Sequence, residues 1–456
     1  MVLGLARQGM ALSRWLVAQG ARVTASDVQS AGALPDALRA LEGLPIHLEL
    51  GGHPLSLLDG CDLLCLSGGV PIDLPVVLEA KQRGILLSND SQLFVERCPA
   101  TVMGITGSAG KTTTTALVGA MCRAAGRRTW VGGNIGNPLI SDLDAIASSD
   151  VVVMELSSFQ LELMTSSPSI AAVLNVTPNH LDRHPSMEAY AAAKAHILDY
   201  QSARDTAVLG FDDPVARSLA RRVKGALWIF VGDGSRLPRD WSRRPHVSVR
   251  QGRVLVTQDQ QAQVCLVSDI RLRGEHNLLN VLAACALAGT AGIGPEAMRQ
   301  AIVEFTGLAH RLQLVRVRNG VSYYDDSIAT APERLIAALK AFHEPIVLLA
   351  GGRDKHLPWD EAARLIRQRV RRLILFGELA GLVERAIGNW EVGQVANLPY
   401  LEAVHRVDTL AEAVSQAAEV AQAGDVVLLS PGGTSFDAFK DFAERGDRFQ
   451  EYVRQL

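Results

Sequence analysis

One arrangement recurs along this chain and restricts its fold more than any other: an apolar, β-branched run of four to six residues that stops abruptly in polar or glycine residues. It occurs as Thr101-Val102-Met103-Gly104-Ile105 before Thr106 to Thr112, Val151 to Met154 before Glu155-Leu156-Ser157-Ser158, and Ala171 to Leu174 before Asn175 to Asp182. The last third repeats it with Val321 to Tyr324 before Asp325-Asp326-Ser327, Ile346 to Ala350 before Gly351 to Lys355, and Val426 to Leu429 before Ser430 to Ser435. Uninterrupted apolar runs of this length suit strands buried on both faces of a parallel sheet. In such sheets ligands bind beyond the carboxyl ends of the strands, where the polar clusters fall. Two sheets are therefore expected to present functional loops.

A third sheet opens the chain. Gly4-Leu5-Ala6-Arg7-Gln8-Gly9 stands before a helical stretch and a strand ending at Asp27, which is the start of a Rossmann-like unit with an incomplete glycine pattern. Only Met1 to Leu3 precede Gly4, so the first strand is expected to be short and a natural start a few residues upstream would complete it. With 456 residues, about three domains of ordinary size are expected. The junctions are placed near Arg97 to Ala100 and near Gly307, giving domains 1–97, 98–307 and 308–456. Charges and turn residues between Ala203 and Gln263 mark the periphery of the central domain.

Composition excludes several classes. A net charge of -3 argues against a protein built to grip nucleic acid, and the basic runs Arg239 to Arg244 and Arg367 to Arg372 are read as solvated surface. Six scattered cysteines do not make a disulfide framework. No apolar stretch is long enough for a membrane span and no signal peptide is evident, so a cytoplasmic location without membrane insertion is expected.

The strongest local signal is Gly107-Ser108-Ala109-Gly110-Lys111-Thr112-Thr113, between a strand and a helix former. Backbone N–H groups of such a loop cradle phosphate oxygens, Lys111 offsets β/γ charge, and the Thr112 hydroxyl suits Mg2+. Glu155, ending the next apolar strand, can supply the carboxylate that a hard cation prefers. His180 can be a second ligand or a substrate contact. Lys194, among alanines in a helical stretch, reads by itself as a surface lysine.

Together with Asn134-Ile135-Gly136, Glu155 to Glu162, Asn175 to His184, Tyr190 to Lys194, Gly274 to Asn277, His310-Arg311, Asp326-Ser327 and Ser430 to Phe442, these motifs resemble the Mur ligases, in order along essentially the whole chain. The resemblance implies an α/β protein of three domains: a Rossmann-like N-terminal domain, a central ATPase domain of phosphate-loop type, and a Rossmann-like C-terminal domain. The segment Glu155 to Glu162 is similar to that of the family member that adds glutamate to UDP-N-acetylmuramoyl-L-alanine, by way of an acyl phosphate made from ATP.

By that resemblance, Lys111, His180, Lys194 and Arg311 are catalytic. Gly107 to Thr113, Asn277, Arg311 and Asp326 hold ATP. Thr112 and Glu155 hold one Mg2+, and His180 with a carbamylated Lys194 holds a second. Gly4, Ala6, Gln8, Gly9, Asp27, Asn134, Ser157 and Gln160 face the UDP-linked substrate, and Thr330, Lys355, Ser435 and Phe442 the incoming glutamate. A monomer is expected. Two departures from the family pattern stand out: Ala109 where the family often has Asn, and Ile328 where its best-known members have Lys. An L-glutamate-adding variant, or another ligase of the same superfamily such as a folate polyglutamate ligase, remains the alternative. A nucleotide-binding protein without catalysis would not be expected to keep Lys111, Glu155, His180 and Lys194 together.

Overall fold

The computed structural model describes residues 1–178, 183–388 and 400–456, and its strands gather into three sheets. The first contains β1 (Val2–Leu3), β2 (Val23–Asp27), β3 (Ile46–Leu50), β4 (Leu63–Leu66) and β5 (Leu86–Ser88), all parallel, in the order β3-β2-β1-β4-β5. Strand order reverses between β1 and β4, so the loops after them, at Gly4 and Ser67, flank the crevice that such a switch point creates.

The second sheet has nine strands: β6 (Thr101–Thr106), β7 (Thr129–Gly133), β8 (Val151–Glu155), β9 (Ile170–Val173), β10 (Thr206–Gly210), β11 (Ala226–Val231), β12 (His246–Arg250), β13 (Arg253–Thr257) and β14 (Gln261–Leu266). Its order is β14-β13-β12-β11-β10-β9-β6-β8-β7, parallel from β7 to β12 and antiparallel through the hairpins beyond. The charged stretch after Ala203 thus forms the sheet's outer strands. β6 lies in the interior, with β8 and β9 on its two sides in register Ile105↔Glu155 and Thr106↔Val173. That register brings the ends of the three runs noted in the sequence next to one another.

These two sheets belong to one compact unit, residues 1–270 with 276–304. Val2, Leu12 and Trp15 share a buried cluster with Leu139, Ile140, Val152 and Leu156. Polar bonds reinforce the seam: the Asn89 side-chain amide donates to the Gln160 carbonyl at 2.8 Å, and Gln160 Nε2 donates to Ser91 Oγ at 2.7 Å.

The other compact unit is residues 271–275 with 305–456. Its sheet runs β15-β16-β20-β17-β18-β19, from β15 (Gln313–Arg318), β16 (Val321–Asp325), β17 (Ile346–Gly351), β18 (Val370–Phe376), β19 (Ala403–Arg406) and β20 (Val426–Gly432), antiparallel only between β15 and β16. β17 and β20 are buried along their whole length, as their unbroken apolar sequence requires. The segment 271–275 is fastened here by Arg273, whose guanidinium donates to the Tyr324 hydroxyl (2.7 Å) and to Glu344 Oε1 (2.5 Å) and lies over the Tyr324 and Phe342 rings. Among the described residues no helix is long and apolar enough to cross a membrane.

Candidate active site

The phosphate loop leaves β6 and turns into the helix Lys111–Ala124. Gly110 makes the turn with φ +86°, and a Cβ there would lie 2.0 Å from Asn280 Oδ1, so only glycine fits. The first helical bond runs from Thr114 N to Gly110 O. The amides of Gly110, Lys111, Thr112 and Thr113 are therefore not used within the helix and form its positive end. The Ser108 and Ala109 amides are occupied instead: Ser108 N donates to Asn175 O (2.9 Å) and Ala109 N to Asn175 Oδ1 (2.9 Å), while Asn175 Nδ2 donates back to Ala109 O. Ser108 Oγ donates to Thr177 O and accepts from Thr177 N, both at 2.9 Å. Asn175 and Thr177 thus shape the loop from the end of β9. Sequence reasoning placed them in the motif without a role.

Two ammonium groups converge on one carbonyl. Lys111 Nζ donates to Gly107 O at 2.8 Å, and Lys194 Nζ, from the helix Met187–Asp199, donates to the same oxygen at 2.9 Å. Lys194 is 1% exposed and sits 4.5 Å from the centre of the Tyr190 ring, so it is not the surface lysine that its local sequence suggests. Burial, and then the neighbouring Lys111 charge, pull its pKa down to about 7 against the pull of Glu155.

Glu155 is 2% exposed at the end of β8; its Oε1 accepts from Asn134 Nδ2 at 2.9 Å, and its Oε2 is buried without a hydrogen-bond partner. A buried carboxylate oxygen left open costs free energy unless something cationic completes it, so this site fits a Mg2+ ion. Asn134, assigned to the UDP-linked substrate from the sequence, uses one side-chain N–H to orient this carboxylate. His180, with Asn179 and Asp182, lies outside the described residues. Among the described residues no three His, Cys, Asp or Glu side chains gather as a metal site.

The remaining residues assigned to the UDP-linked substrate divide in two. Ser157 and Gln160 form a capping box on the short helix Ser158–Leu161, and Gln160 also reaches Ser91 across the seam. Gly4, Ala6, Gln8, Gly9 and Asp27 cluster at the ends of β1 and β2. A Cβ on Gly9 would meet Gly4 O at 1.8 Å, which explains why the turn needs glycine despite its incomplete fingerprint. Asp27 accepts from Leu5 N (2.7 Å) and Gln29 N (2.9 Å), and Gln8 Oε1 accepts from Gly68 N (3.2 Å), tying the β1 loop to the β4 loop.

In the other unit, Asp326 follows β16 directly, accepting from Ser430 Oγ (2.9 Å) and Leu312 N (3.2 Å), and burial pushes its carboxyl up to about 7. Lys355 Nζ donates to Thr330 Oγ1 at 3.3 Å, so these two residues meet. Ser435 is buried, whereas Phe442 is partly exposed. The organiser of this region is Arg445, which the sequence reading passed over. Fully buried, it donates from Nε to Ser327 Oγ (2.9 Å), from Nη2 to Ser327 O (2.8 Å), and from Nη1 to Gly433 O and Thr434 O (both 3.1 Å). It joins the loop after β16 to the loop after β20. The signal was available: Arg445 lies at helical spacing with Phe449 and Val453, the apolar stripe of the last helix. Arg311 is close enough to Asp326 to oppose the rise of its pKa, while Asn277, which belongs to the first unit, accepts from Asn280 Nδ2 (3.0 Å).

Comparison with known proteins agrees with this layout. A model of the Mur ligase MurD-like N-terminal domain matches residues 1–88, that of the Mur ligase middle domain matches 105–288, and that of the Mur ligase glutamate ligase domain matches 310–433. Over its full length the chain is 44% identical to a UDP-N-acetylmuramoylalanine–D-glutamate ligase of Symbiobacterium thermophilum, covering 97% of that protein. It is 40% identical to the ligase of the same name from Acetivibrio thermocellus, again over the whole chain and 96% of the relative. Among solved structures, the UDP-N-acetylmuramate-alanine ligase of Thermotoga maritima matches with a TM-score of 0.57 at 18% identity, covering 100% of this chain and 98% of the other. A pseudomurein peptide ligase type C from Methanothermus fervidus matches with a TM-score of 0.56 at 17% identity, over 100% and 99%. The three matched domains in sequence order, the full-length relatives and the shared fold lead to one conclusion: the chain belongs to the Mur ligase family.

Proposed function

We propose that this chain joins D-glutamate to UDP-N-acetylmuramoyl-L-alanine at the expense of ATP, a step in the assembly of the peptidoglycan precursor. The observation that carries this reading is the cluster at the phosphate loop, where Lys111 and Lys194 meet on Gly107 O in the unit that also holds the open oxygen of Glu155. Full-length relatives named for D-glutamate addition supply the substrates, and nothing favours L-glutamate.

In the proposed reaction an oxygen of the alanyl carboxylate takes the γ-phosphoryl group of ATP and ADP departs. The glutamate amine then attacks the carbonyl carbon; the C–O bond to phosphate breaks, and the amine loses a proton as the amide forms. The negative charge that accumulates needs stabilisation more than proton transfer. Lys111 and the amides of Gly110 to Thr113 bind the phosphates, with Asn277, Arg311 and Asp326 contributing to the nucleotide. Mg2+, held by Thr112 and Glu155 and at a second position by His180 and Lys194, would offset phosphate charge when bound. The neutral form of the Lys194 amine, which its lowered pKa makes available near pH 7, can add to CO2 with loss of a proton, giving a carbamate that is an anionic oxygen ligand. Gly4, Ala6, Gln8, Gly9 and Asp27 line the site proposed for the uridine diphosphate end. Thr330, Lys355, Ser435 and Phe442 are proposed to receive glutamate.

The test is phosphate release from ATP with UDP-N-acetylmuramoyl-L-alanine, supplying D- and L-glutamate separately. Release with D-glutamate alone is expected. Release with L-glutamate alone, or with neither, overturns the proposal.

A further inference from the structure

The ring of His53 lies at the carboxyl end of the first sheet, three residues beyond β3, in a position that the sequence reading did not single out. Its Nδ1 is 2.7 Å from Ser26 Oγ, and Ser26 Oγ donates its one proton to Gly52 O at 2.9 Å. A serine hydroxyl carries a single hydrogen and Gly52 O can only accept it; with that hydrogen on Gly52 O, Ser26 Oγ accepts from His53, and this arrangement, which satisfies both contacts, assigns the proton of the neutral imidazole to Nδ1. Nε2 then carries the lone pair, and no protein donor meets it among the described residues.

The surroundings favour this neutral form. Partial burial lowers the His53 pKa, outweighing the opposing pull of the Asp27 charge. Ser26 and Asp27 are the last two residues of β2, and Asp27 is locked by the amides of Leu5 and Gln29. The next residue, Val28, is an apolar side chain left 63% exposed. The end of β2 therefore offers an apolar surface and, beside it, a lone pair that can only accept. At this point of a Rossmann-like sheet a nucleoside is bound.

We propose that His53, through Nε2, is a specificity residue for the nucleoside of the nucleotide-sugar substrate, accepting a hydrogen bond from the imide N–H of uracil or from the ribose 2′-hydroxyl. This rests on the UDP-linked substrate proposed above. A cytosine base has no imide N–H, so acceptance from the base would also select uracil over cytosine. Acceptance from the ribose would not.

The probes are UDP, 3-methyl-UDP and 2′-deoxy-UDP, with binding to the whole wild-type protein measured by calorimetry and repeated on His53→Ala and His53→Phe. Loss of one hydrogen bond corresponds to roughly fivefold to tenfold weaker binding. The expected result is that one of the two modified nucleotides binds that much more weakly than UDP to the wild type. In both variants UDP weakens similarly and the difference between that pair of nucleotides disappears. Discrimination against 3-methyl-UDP assigns the base, and against 2′-deoxy-UDP the sugar. If wild type binds UDP but treats all three alike, or if the variants keep its discrimination, the role of His53 is overturned. If wild type does not bind UDP at all, the substrate reading itself fails. The wild-type comparison needs no substitution, so a variant that folds poorly does not remove the test.

Discussion

At pH 8 an ordinary lysine with a pKa of about 10.4 is a neutral amine in roughly one molecule in 250. With its pKa drawn down to about 7, Lys194 is neutral in about nine of ten at the same pH. Only the neutral amine attacks CO2, so Lys194 is expected to carbamylate more readily than a surface lysine by about two orders of magnitude. The perturbation is to equilibrate the protein with 13C-bicarbonate at pH 8 and then at pH 6, where the lowered pKa leaves most of the side chain charged. Carbon NMR should show a carbamate carbonyl at pH 8 in addition to that of the α-amine, diminished at pH 6. Lys194→Arg keeps a long side chain with N–H donors, but its guanidinium stays protonated and cannot form the adduct. The signal should vanish in this variant, and kcat for phosphate release should fall by about a hundredfold. A carbamate spectrum that is the same in folded wild type and in Lys194→Arg would refute the reasoning, as would wild-type activity in Lys194→Ala.

Further expectations concern other parts of the molecule. Gly110→Ala forces a Cβ to within 2.0 Å of Asn280 Oδ1 at φ +86°, and should weaken ATP binding at least tenfold in a fluorescent-nucleotide titration; unchanged affinity would contradict the close-approach argument. Asp90 is 3% exposed, with Oδ1 lacking a hydrogen-bond partner, and burial raises its pKa from 3.8 to about 6. Because the folded-state pKa is the higher one, ionisation destabilises the fold above about pH 6, and the penalty disappears as pH falls below 3.8. Asp90→Asn should therefore stabilise the protein at pH 7.5 by about 3 kcal/mol and not at pH 3.5, read from denaturant midpoints; a destabilised variant at pH 7.5 counts against this. Arg445→Met leaves four buried acceptors without their donor and should lower the stability of the C-terminal unit by about 4 kcal/mol, a value that a change under about 1 kcal/mol would exclude.

The parallel sheets and the loops at their strand ends were legible because both are encoded locally. Apolar runs such as Ile346 to Ala350 say where a strand is buried, and the residues that follow say where its polar end lies. The phosphate loop was legible for the same reason, since Gly110 and Lys111 are adjacent to the strand and helix they join. Partnerships formed across long stretches of chain were not. Nothing near Ala109 announces that Asn175, 66 residues on, holds its amide, and nothing near Ser327 points to Arg445, 118 residues away. Asn134 shows the limit from another side: its loop gives no sign that its side chain reaches Glu155, a 2.9 Å contact formed across 21 residues. Lys194 was identifiable as more than a surface residue only through the family pattern, because its alanine-rich helix gives no sign of which face is covered.

The allegiance of residues 271–275 bears on how the chain matures on the ribosome. Arg273 is synthesised about fifty residues before Tyr324 and some seventy before Glu344, the groups it binds, so this short segment must wait while the helices Glu275–Thr290 and Pro295–Glu304 emerge behind it. A C-terminal piece started at residue 305 would lack that clasp and present Tyr324 and Phe342 uncovered by the guanidinium. The third sheet is thus completed by a stretch of chain made before any of its own strands, and fragments cut at the apparent domain boundary should be less soluble than fragments that begin at residue 271.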